Sequence, residues 1–209
     1  GPMLLLFGMV TGVIYTGVAT PTEASALGAF GAFVLAVWKG KINRKTLRSA
    51  LIRSAHGTCM IAMILFGASI FGYFFTLTQV TQNLVSWVGS LAVPPWLILT
   101  IILFGYIVLG SFMDQIAILV LTVPIVLPLI KSLGYDPLWF GVIKIVTAEV
   151  GMITPPVGLN CFVVARYSGR PVGEVFHGVF PHFVAHLIAI AILVIWPMII
   201  LWLPMKMGY

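Results

Sequence analysis

Long runs of apolar residues, separated by short polar or proline-containing stretches, make up most of the chain. Several runs reach the roughly 20 residues that a helix needs to cross a bilayer. The pattern therefore predicts an all-α integral membrane protein in which residues 4–209 form a single membrane domain. The predicted segments are a broken helical segment (4–38), a basic amphipathic helix (39–56), a span (57–78), a hairpin (96–131), an interrupted helix (138–167) and a last span (176–203).

The first apolar run, 4–38, is too long for one transmembrane helix. As a single helix it would span about 52 Å, whereas the hydrocarbon core of a bilayer is about 30 Å thick. We therefore expect a break within residues 17–21, which contain glycine, threonine and proline. Thr20 or Thr22 can cap the helix that follows, and the charge of Glu23 suits the first turn of that helix.

Composition excludes several classes of protein. Of the 209 residues, 61% are hydrophobic and 8% are charged, whereas soluble domains contain about 25% charged residues. So few charges cannot cover the surface of the chain in water, which excludes a soluble domain, a disordered chain and a nucleic-acid-binding protein. The sequence also has no His-Glu-x-x-His motif. We therefore expect a lipid bilayer around the chain, no nucleic-acid partner and no enzymatic activity.

The basic residues predict the orientation in the membrane. Six of the eleven Lys and Arg residues cluster in one stretch: Lys39, Lys41, Arg44, Lys45, Arg48 and Arg53. Such clusters mark the cytoplasmic side. If 39–56 is cytoplasmic, the order of the segments places Arg166 and Arg170 in the cytoplasm as well and the C-terminus outside. Eight of the eleven basic residues then lie inside, in agreement with this orientation.

The octapeptide Gly-Met-Ile-Thr-Pro-Pro-Val-Gly at 151–158 carries the strongest candidate chemistry. Two prolines and two glycines cannot stay helical, and this break lies near the middle of its apolar segment. Non-helical backbone within a membrane is tolerated where it lines a cavity, and its carbonyl groups suit Na⁺. Thr154 and Asn160 add a hydroxyl and an amide. The alternative is a proline kink that only shapes packing.

A second candidate is the polar stretch 110–115 between the two apolar arms of 96–131. It contains Asp114, and ionisable residues within a membrane are costly and usually functional. The stretch is either a solvated surface loop or the tip of a re-entrant hairpin that ends within the membrane. Arms of about 15 residues, short for full spans, predict the re-entrant hairpin.

Three motifs, together with the loop at 134–137, resemble the large membrane subunit of tripartite ATP-independent periplasmic (TRAP) transporters. They occur in the family's order: Thr-Pro-Thr-Glu-Ala at 20–24, Gly-Ser-Phe-Met-Asp at 110–114 and Gly-Met-Ile-Thr-Pro-Pro-Val-Gly-Leu-Asn at 151–160. The resemblance covers nearly the whole chain. It implies the inner membrane of a bacterium or archaeon and Na⁺-coupled import of organic acids such as dicarboxylates or sialic acid. It also implies a periplasmic binding protein and a small membrane subunit as partners, and an elevator mechanism.

The resemblance also implies which residues act. The family's fold, which belongs to the ion-transporter superfamily, has two inverted repeats, each with a re-entrant hairpin and an unwound transmembrane helix. No organic cofactor is implied, and Na⁺ is the coupling ion. The expected Na⁺ ligands are Gly110, Ser111, Asp114, Gly151, Thr154 and Gly158. The expected substrate contacts are Thr154, Pro155, Pro156 and Asn160.

Members of this family are about twice as long as this chain. The chain is therefore expected to be the C-terminal half, a single repeat, with the N-terminal half of the same subunit as its partner. Residues 1–3, Gly-Pro-Met, are typical of an expression scar. Two alternatives stay open: a Na⁺/dicarboxylate symporter that needs no binding protein, and a structural scaffold half without a ligand site.

Overall fold

The computed structural model describes residues 1–40 and 42–207, and all regular secondary structure in these ranges is α-helical. This confirms the all-α prediction for the described part of the chain. The helices are α1 (Pro2–Tyr15), α2 (Pro21–Trp38), α3 (Arg44–Leu77), α4 (Val80–Ser90), α5 (Pro95–Phe112), α6 (Gln115–Ser132), α7 (Pro137–Met152), α8 (Leu159–Ser168), α9 (Val172–Ile195) and α10 (Met198–Lys206). Lys41, which belongs to the predicted basic cluster, lies outside the described residues, as do residues 208 and 209.

The chain divides into two compact units, Gly1–Cys59 and Met60–Tyr209, where the sequence analysis expected a single domain. Within the described residues, five helices are long and apolar enough to cross a bilayer: α2, α3, α5, α6 and α9. Many large apolar side chains on these helices are exposed. An apolar surface of this kind is stable against lipid or other membrane helices and not against water.

The predicted break in the first apolar run is confirmed between α1 and α2. Thr20 is the N-cap of α2, and its hydroxyl accepts a hydrogen bond from the Glu23 amide. The Glu23 carboxylate accepts a bond of 2.8 Å from the Thr20 amide in return. This reciprocal pair is a capping box, which satisfies two amides that the start of a helix leaves free.

Residues 39–56 and 57–78 were expected as two helices, and the structure joins most of them in α3, one helix of 34 residues. No proline or capping group interrupts the chain where the two predictions meet. Gly57 alone costs a helix only about 1 kcal/mol, which the flanking helix formers outweigh. The change from basic to apolar composition near Gly57 therefore marks a change of surroundings and not a helix end.

The predicted last span, 176–203, is two helices in the structure. α9 ends at Ile195, and Pro197 is the N-cap residue of α10. Proline has no amide hydrogen, so it cannot continue the hydrogen-bond pattern of α9. Pro181, in contrast, lies inside α9 without ending it.

The core of the second unit forms around α5 and α7. Tyr106 on α5 and Phe140, Ile143 and Val150 on α7 are almost completely buried. Ile190 on α9 closes the same cluster. This core fixes α5, and with it the hairpin, against α7.

Candidate functional site

The predicted hairpin is present as α5 and α6, joined by a turn at Met113 and Asp114. The Asp114 carboxylate caps α6 by accepting a hydrogen bond of 3.0 Å from the Ile116 amide. Each arm has 18 residues and not the expected 15, because the helix of the first arm continues through Gly110 to Phe112. At this length both arms could cross a bilayer, so arm length no longer argues for a re-entrant hairpin.

The predicted interruption is also present, although it begins later than expected. Gly151 and Met152 still belong to α7, and the non-helical residues are 153–158. Gly158 precedes α8 with a φ of 56°, a left-handed conformation that glycine adopts at low cost. The peptide bond between Pro155 and Pro156 is cis.

The hairpin meets α7 through two glycines. A Cβ atom on Gly110 would lie 2.5 Å from the Ala148 carbonyl oxygen and 2.9 Å from the Gly151 Cα atom. A Cβ atom on Gly151 would lie 2.5 Å from the Ile107 carbonyl oxygen. Both glycines are buried. The two helices therefore touch backbone to backbone, as small residues permit in membrane proteins.

Two hydrogen bonds support this contact on either side. The Gly158 amide donates to the Ser111 carbonyl at 3.3 Å, which joins the last turn of α5 to the end of the interruption. The Gln115 side chain donates to the Ile145 carbonyl at 3.2 Å. Gln115 belongs to the predicted polar stretch 110–115 but was not among the expected Na⁺ ligands or substrate contacts. The structure thus brings four predicted Na⁺ ligands together: Gly110, Ser111, Gly151 and Gly158.

Several backbone carbonyl groups at this contact lack a hydrogen-bond donor. Within residues 153–158, the four consecutive carbonyls of 154–157 accept no hydrogen bond from any residue that the structure describes. In the hairpin the same holds for the carbonyls of Gly110, Phe112 and Met113. Carbonyl groups away from water need a partner. A hard cation such as Na⁺ is a suitable partner for carbonyl oxygens that lack a donor.

The remaining predicted side chains lie around this contact. Thr154 is half-buried, and its hydroxyl donates to the Val150 carbonyl at 2.6 Å, which leaves the oxygen lone pairs free. Asp114 is half-buried, and no hydrogen bond joins it to a described residue of the interruption. The predicted substrate contacts Pro155, Pro156 and Asn160 are exposed.

A cavity of about 550 Å³ lies beside the interruption, between Thr154 and Pro155 on one side and α9 on the other. On α9 the cavity is lined by Phe176, His177, Val179, Phe180, Pro181 and Phe183. None of these α9 residues was predicted as a site residue. The helical spacing of the three phenylalanines is a signal that could have indicated one face of α9.

Comparison with known proteins supports the resemblance. The protein-family model described as the tripartite ATP-independent periplasmic transporter, DctM component, matches residues 2–199 of this chain. The C4-dicarboxylate TRAP transporter large permease protein of Pseudomonas aeruginosa is 35% identical over 98% of this chain and 48% of its own length. The sialic acid TRAP transporter large permease protein of Vibrio cholerae is 30% identical over 96% of this chain and 48% of its own length. The 2,3-diketo-L-gulonate TRAP transporter large permease protein of Escherichia coli is 29% identical over 97% of this chain and 48% of its own length.

The chain thus spans about half the length of these relatives. Together with its candidate spans, the match makes it a multi-pass membrane protein. The relatives are transporter permeases and not enzymes. The chain belongs to the DctM family, the large permease subunits of tripartite ATP-independent periplasmic transporters.

Proposed function

We propose that this chain is the C-terminal half of a large permease subunit that imports an organic acid with Na⁺ as the coupling ion. A periplasmic binding protein delivers the acid, and a small membrane subunit completes the transporter in the inner membrane. The relative that is 35% identical is named for C4-dicarboxylates, so a C4-dicarboxylate is the first substrate to test.

The observation that carries this proposal is the contact between the hairpin and the interruption. Two backbone segments with free carbonyl groups meet there, and two glycines keep them in contact. The free carbonyls, the Thr154 hydroxyl and the Asp114 carboxylate supply the oxygen ligands that a Na⁺ ion prefers. The negative charge of Asp114 offsets the charge of the ion.

We propose that the hairpin is re-entrant. α7 has 16 residues and rises about 24 Å, and α8 adds 10 residues, or about 15 Å, beyond the interruption. Ser111 in the last turn of α5 bonds to Gly158, which precedes α8, and the turn at Met113 begins two residues later, so the tip lies close to the level of the interruption. If α7, the interruption and α8 together cross the membrane, the turn at Met113 and Asp114 stops within it. Because the hairpin and α7 share one core, an elevator movement would carry them together.

In the orientation predicted from the basic residues, residues 39–56 lie in the cytoplasm, and the start of α5 and the end of α6 face the outside. Cysteine labelling tests the depth of the tip. In a whole subunit without its native cysteines, Phe112→Cys should react much more slowly than Ser132→Cys with an impermeant thiol reagent added from outside. Phe112 and Ser132 are both exposed on the protein surface, so the difference reports membrane depth. Equal rates would show that the tip reaches water and that the hairpin is not re-entrant.

The transport function is tested with the whole subunit, its small membrane subunit and its binding protein in proteoliposomes. Uptake of labelled succinate or N-acetylneuraminate should require an inward Na⁺ gradient, and a K⁺ gradient of equal size should not replace it. Uptake that persists without the binding protein would instead support the symporter alternative. If Na⁺ neither drives uptake nor stabilises the subunit against heat, the scaffold alternative holds.

A further inference from the structure

Lys144 is the only charged side chain that is buried among the residues the structure describes. It lies in the middle of α7, and only 3% of its surface is exposed. A charged group inside a membrane protein costs several kcal/mol unless its surroundings compensate it. Lysine side chains near a helix end avoid this cost by extending to the headgroups. Lys144 does not do so, and it takes no part in the contact between the hairpin and the interruption.

Two partners surround the amine, and they come from both arms of the hairpin. Lys144 Nζ donates a hydrogen bond of 3.3 Å to the Leu119 carbonyl on α6. It also lies 5.2 Å from the centre of the Tyr106 ring on α5, within the range of a cation–π contact. Among the described residues no carboxylate lies within 4.0 Å of this amine. Its charge is therefore compensated by a carbonyl dipole and a ring face, and not by a salt bridge.

Two neighbouring backbone carbonyls of α6, those of Ile118 and Leu119, accept side-chain donors. In the same turn the Thr122 hydroxyl donates to the Ile118 carbonyl at 2.6 Å. The Tyr106 hydroxyl donates to Thr122 at 2.8 Å and so links α5 to α6. Lys144 extends this network to α7.

The position of the network relates it to the candidate site. Tyr106 lies one helical turn before Gly110, and Leu119 lies about one turn after the Asp114 cap. The contacts of Lys144 with Tyr106 and Leu119 therefore fix both arms about one helical turn away from the turn at Met113 and Asp114. Losing them would leave the apolar core, the glycine contact and the hydrogen bonds of Ser111 and Gln115 to hold the hairpin.

We propose that Lys144 is a positioning residue whose protonated amine ties both arms of the hairpin to α7 and thereby holds the tip against the interruption. It does not touch the coupling ion itself. The inference rests on the proposed function only in so far as the tip binds Na⁺.

Amide hydrogen exchange in the whole subunit tests this without a substrate. Lys144→Met keeps most of the length and volume of the side chain and removes its charge and donor. Exchange of the amides in 110–118 should become roughly tenfold faster, the size of effect expected on losing a hydrogen bond to a charged group. Lys144→Arg, which keeps both charge and donors, should restore slow exchange. The Na⁺ concentration at which the slowing of exchange at these amides is half-complete should rise in Lys144→Met and return to the wild-type value in Lys144→Arg.

Thr147→Val is the matched control. Thr147 is fully buried on α7, but its hydroxyl bonds only to Ile143 of its own helix. This variant should leave exchange of 110–118 unchanged. Should Lys144→Met fail to assemble, Lys144→Leu, which likewise removes the charge and the donor, is expected to give the same local acceleration.

The possible results separate the inference from the function. Faster exchange throughout the second unit, or unchanged exchange at 110–118, would show that Lys144 does not position the hairpin. If wild type shows no Na⁺ protection while Lys144→Met still loosens 110–118, the positioning role stands and the Na⁺ site is wrong.

Discussion

Gly151→Ala in the whole subunit should reduce uptake by roughly a hundredfold, because it forces α5 and α7 apart at the candidate site. The added methyl would lie 2.5 Å from the Ile107 carbonyl oxygen and 2.6 Å from the Gly110 Cα atom. Both are backbone atoms, so no side chain can rotate to make room. The expected cost is about 3 kcal/mol, the upper part of the range for overpacking.

Gly110→Ala should behave in the same way, since its methyl would meet Ala148 and Gly151. The double variant should be less harmful than the sum of the two, because both substitutions widen the same contact. Uptake, corrected for the amount of subunit in the membrane, is the measurement.

Two other glycines on the same helices provide controls. A Cβ atom on Gly105 of α5 or Gly141 of α7 would meet no atom within 4 Å. Alanine at these positions should leave uptake unchanged and slightly favour the helix, by up to about 1 kcal/mol. If Gly151→Ala transports as well as Gly141→Ala, the close approach of the two helices does not matter for transport.

Asp114→Asn and Thr154→Ala should each raise the Na⁺ concentration for half-maximal uptake by more than about tenfold. Asp114 would lose the charge that offsets the ion, which is worth a few kcal/mol at partial burial, and every 1.4 kcal/mol is about a tenfold change in affinity. Thr154 would lose a half-buried oxygen ligand. The free carbonyl groups cannot be removed by substitution, so these side chains are the practical test.

Asp136→Asn is the matched control for the charge. Asp136 caps α7 through the amides of Leu138 and Trp139, just as Asp114 caps α6. Asparagine is an equally good cap, so both variants keep their helix starts. Only Asp114→Asn should change the Na⁺ dependence. Wild-type Na⁺ dependence in both Asp114→Asn and Thr154→Ala would mean that the hairpin and the interruption do not bind the coupling ion.

Local signals were sufficient to predict much of the fold. The Thr20 and Glu23 pair marks a helix start by its own hydrogen bonds, so neighbouring segments are not needed to recognise it. Pro155 and Pro156 likewise forbid a continuous helix wherever they stand. The turn at Met113 and Asp114 falls within the polar stretch 110–115 that its composition indicated, although Gly110, Ser111 and Phe112 stay helical.

Predictions that depend on distant neighbours were weaker. Nothing local shows that Gly110 and Gly151 touch, because 41 positions separate them in the sequence and a glycine in a helix has no characteristic partner. The burial of Lys144 was equally invisible, since it depends on Tyr106 and on a carbonyl of α6. The boundary at Gly57 was misplaced because a change in polarity was taken for a helix end.

The joint between the hairpin and the interruption, formed by Gly110, Ser111, Gly151 and Gly158, consists of main-chain atoms. Its positions should therefore differ in how well they tolerate substitution. Ser111 contributes its carbonyl to the joint and uses its hydroxyl only within its own helix. A saturation library should therefore accept small side chains at Ser111 and reject every residue except glycine at Gly110 and Gly151. Selection for a new cargo can thus alter the side chains around the joint, while the joint itself stays almost invariant.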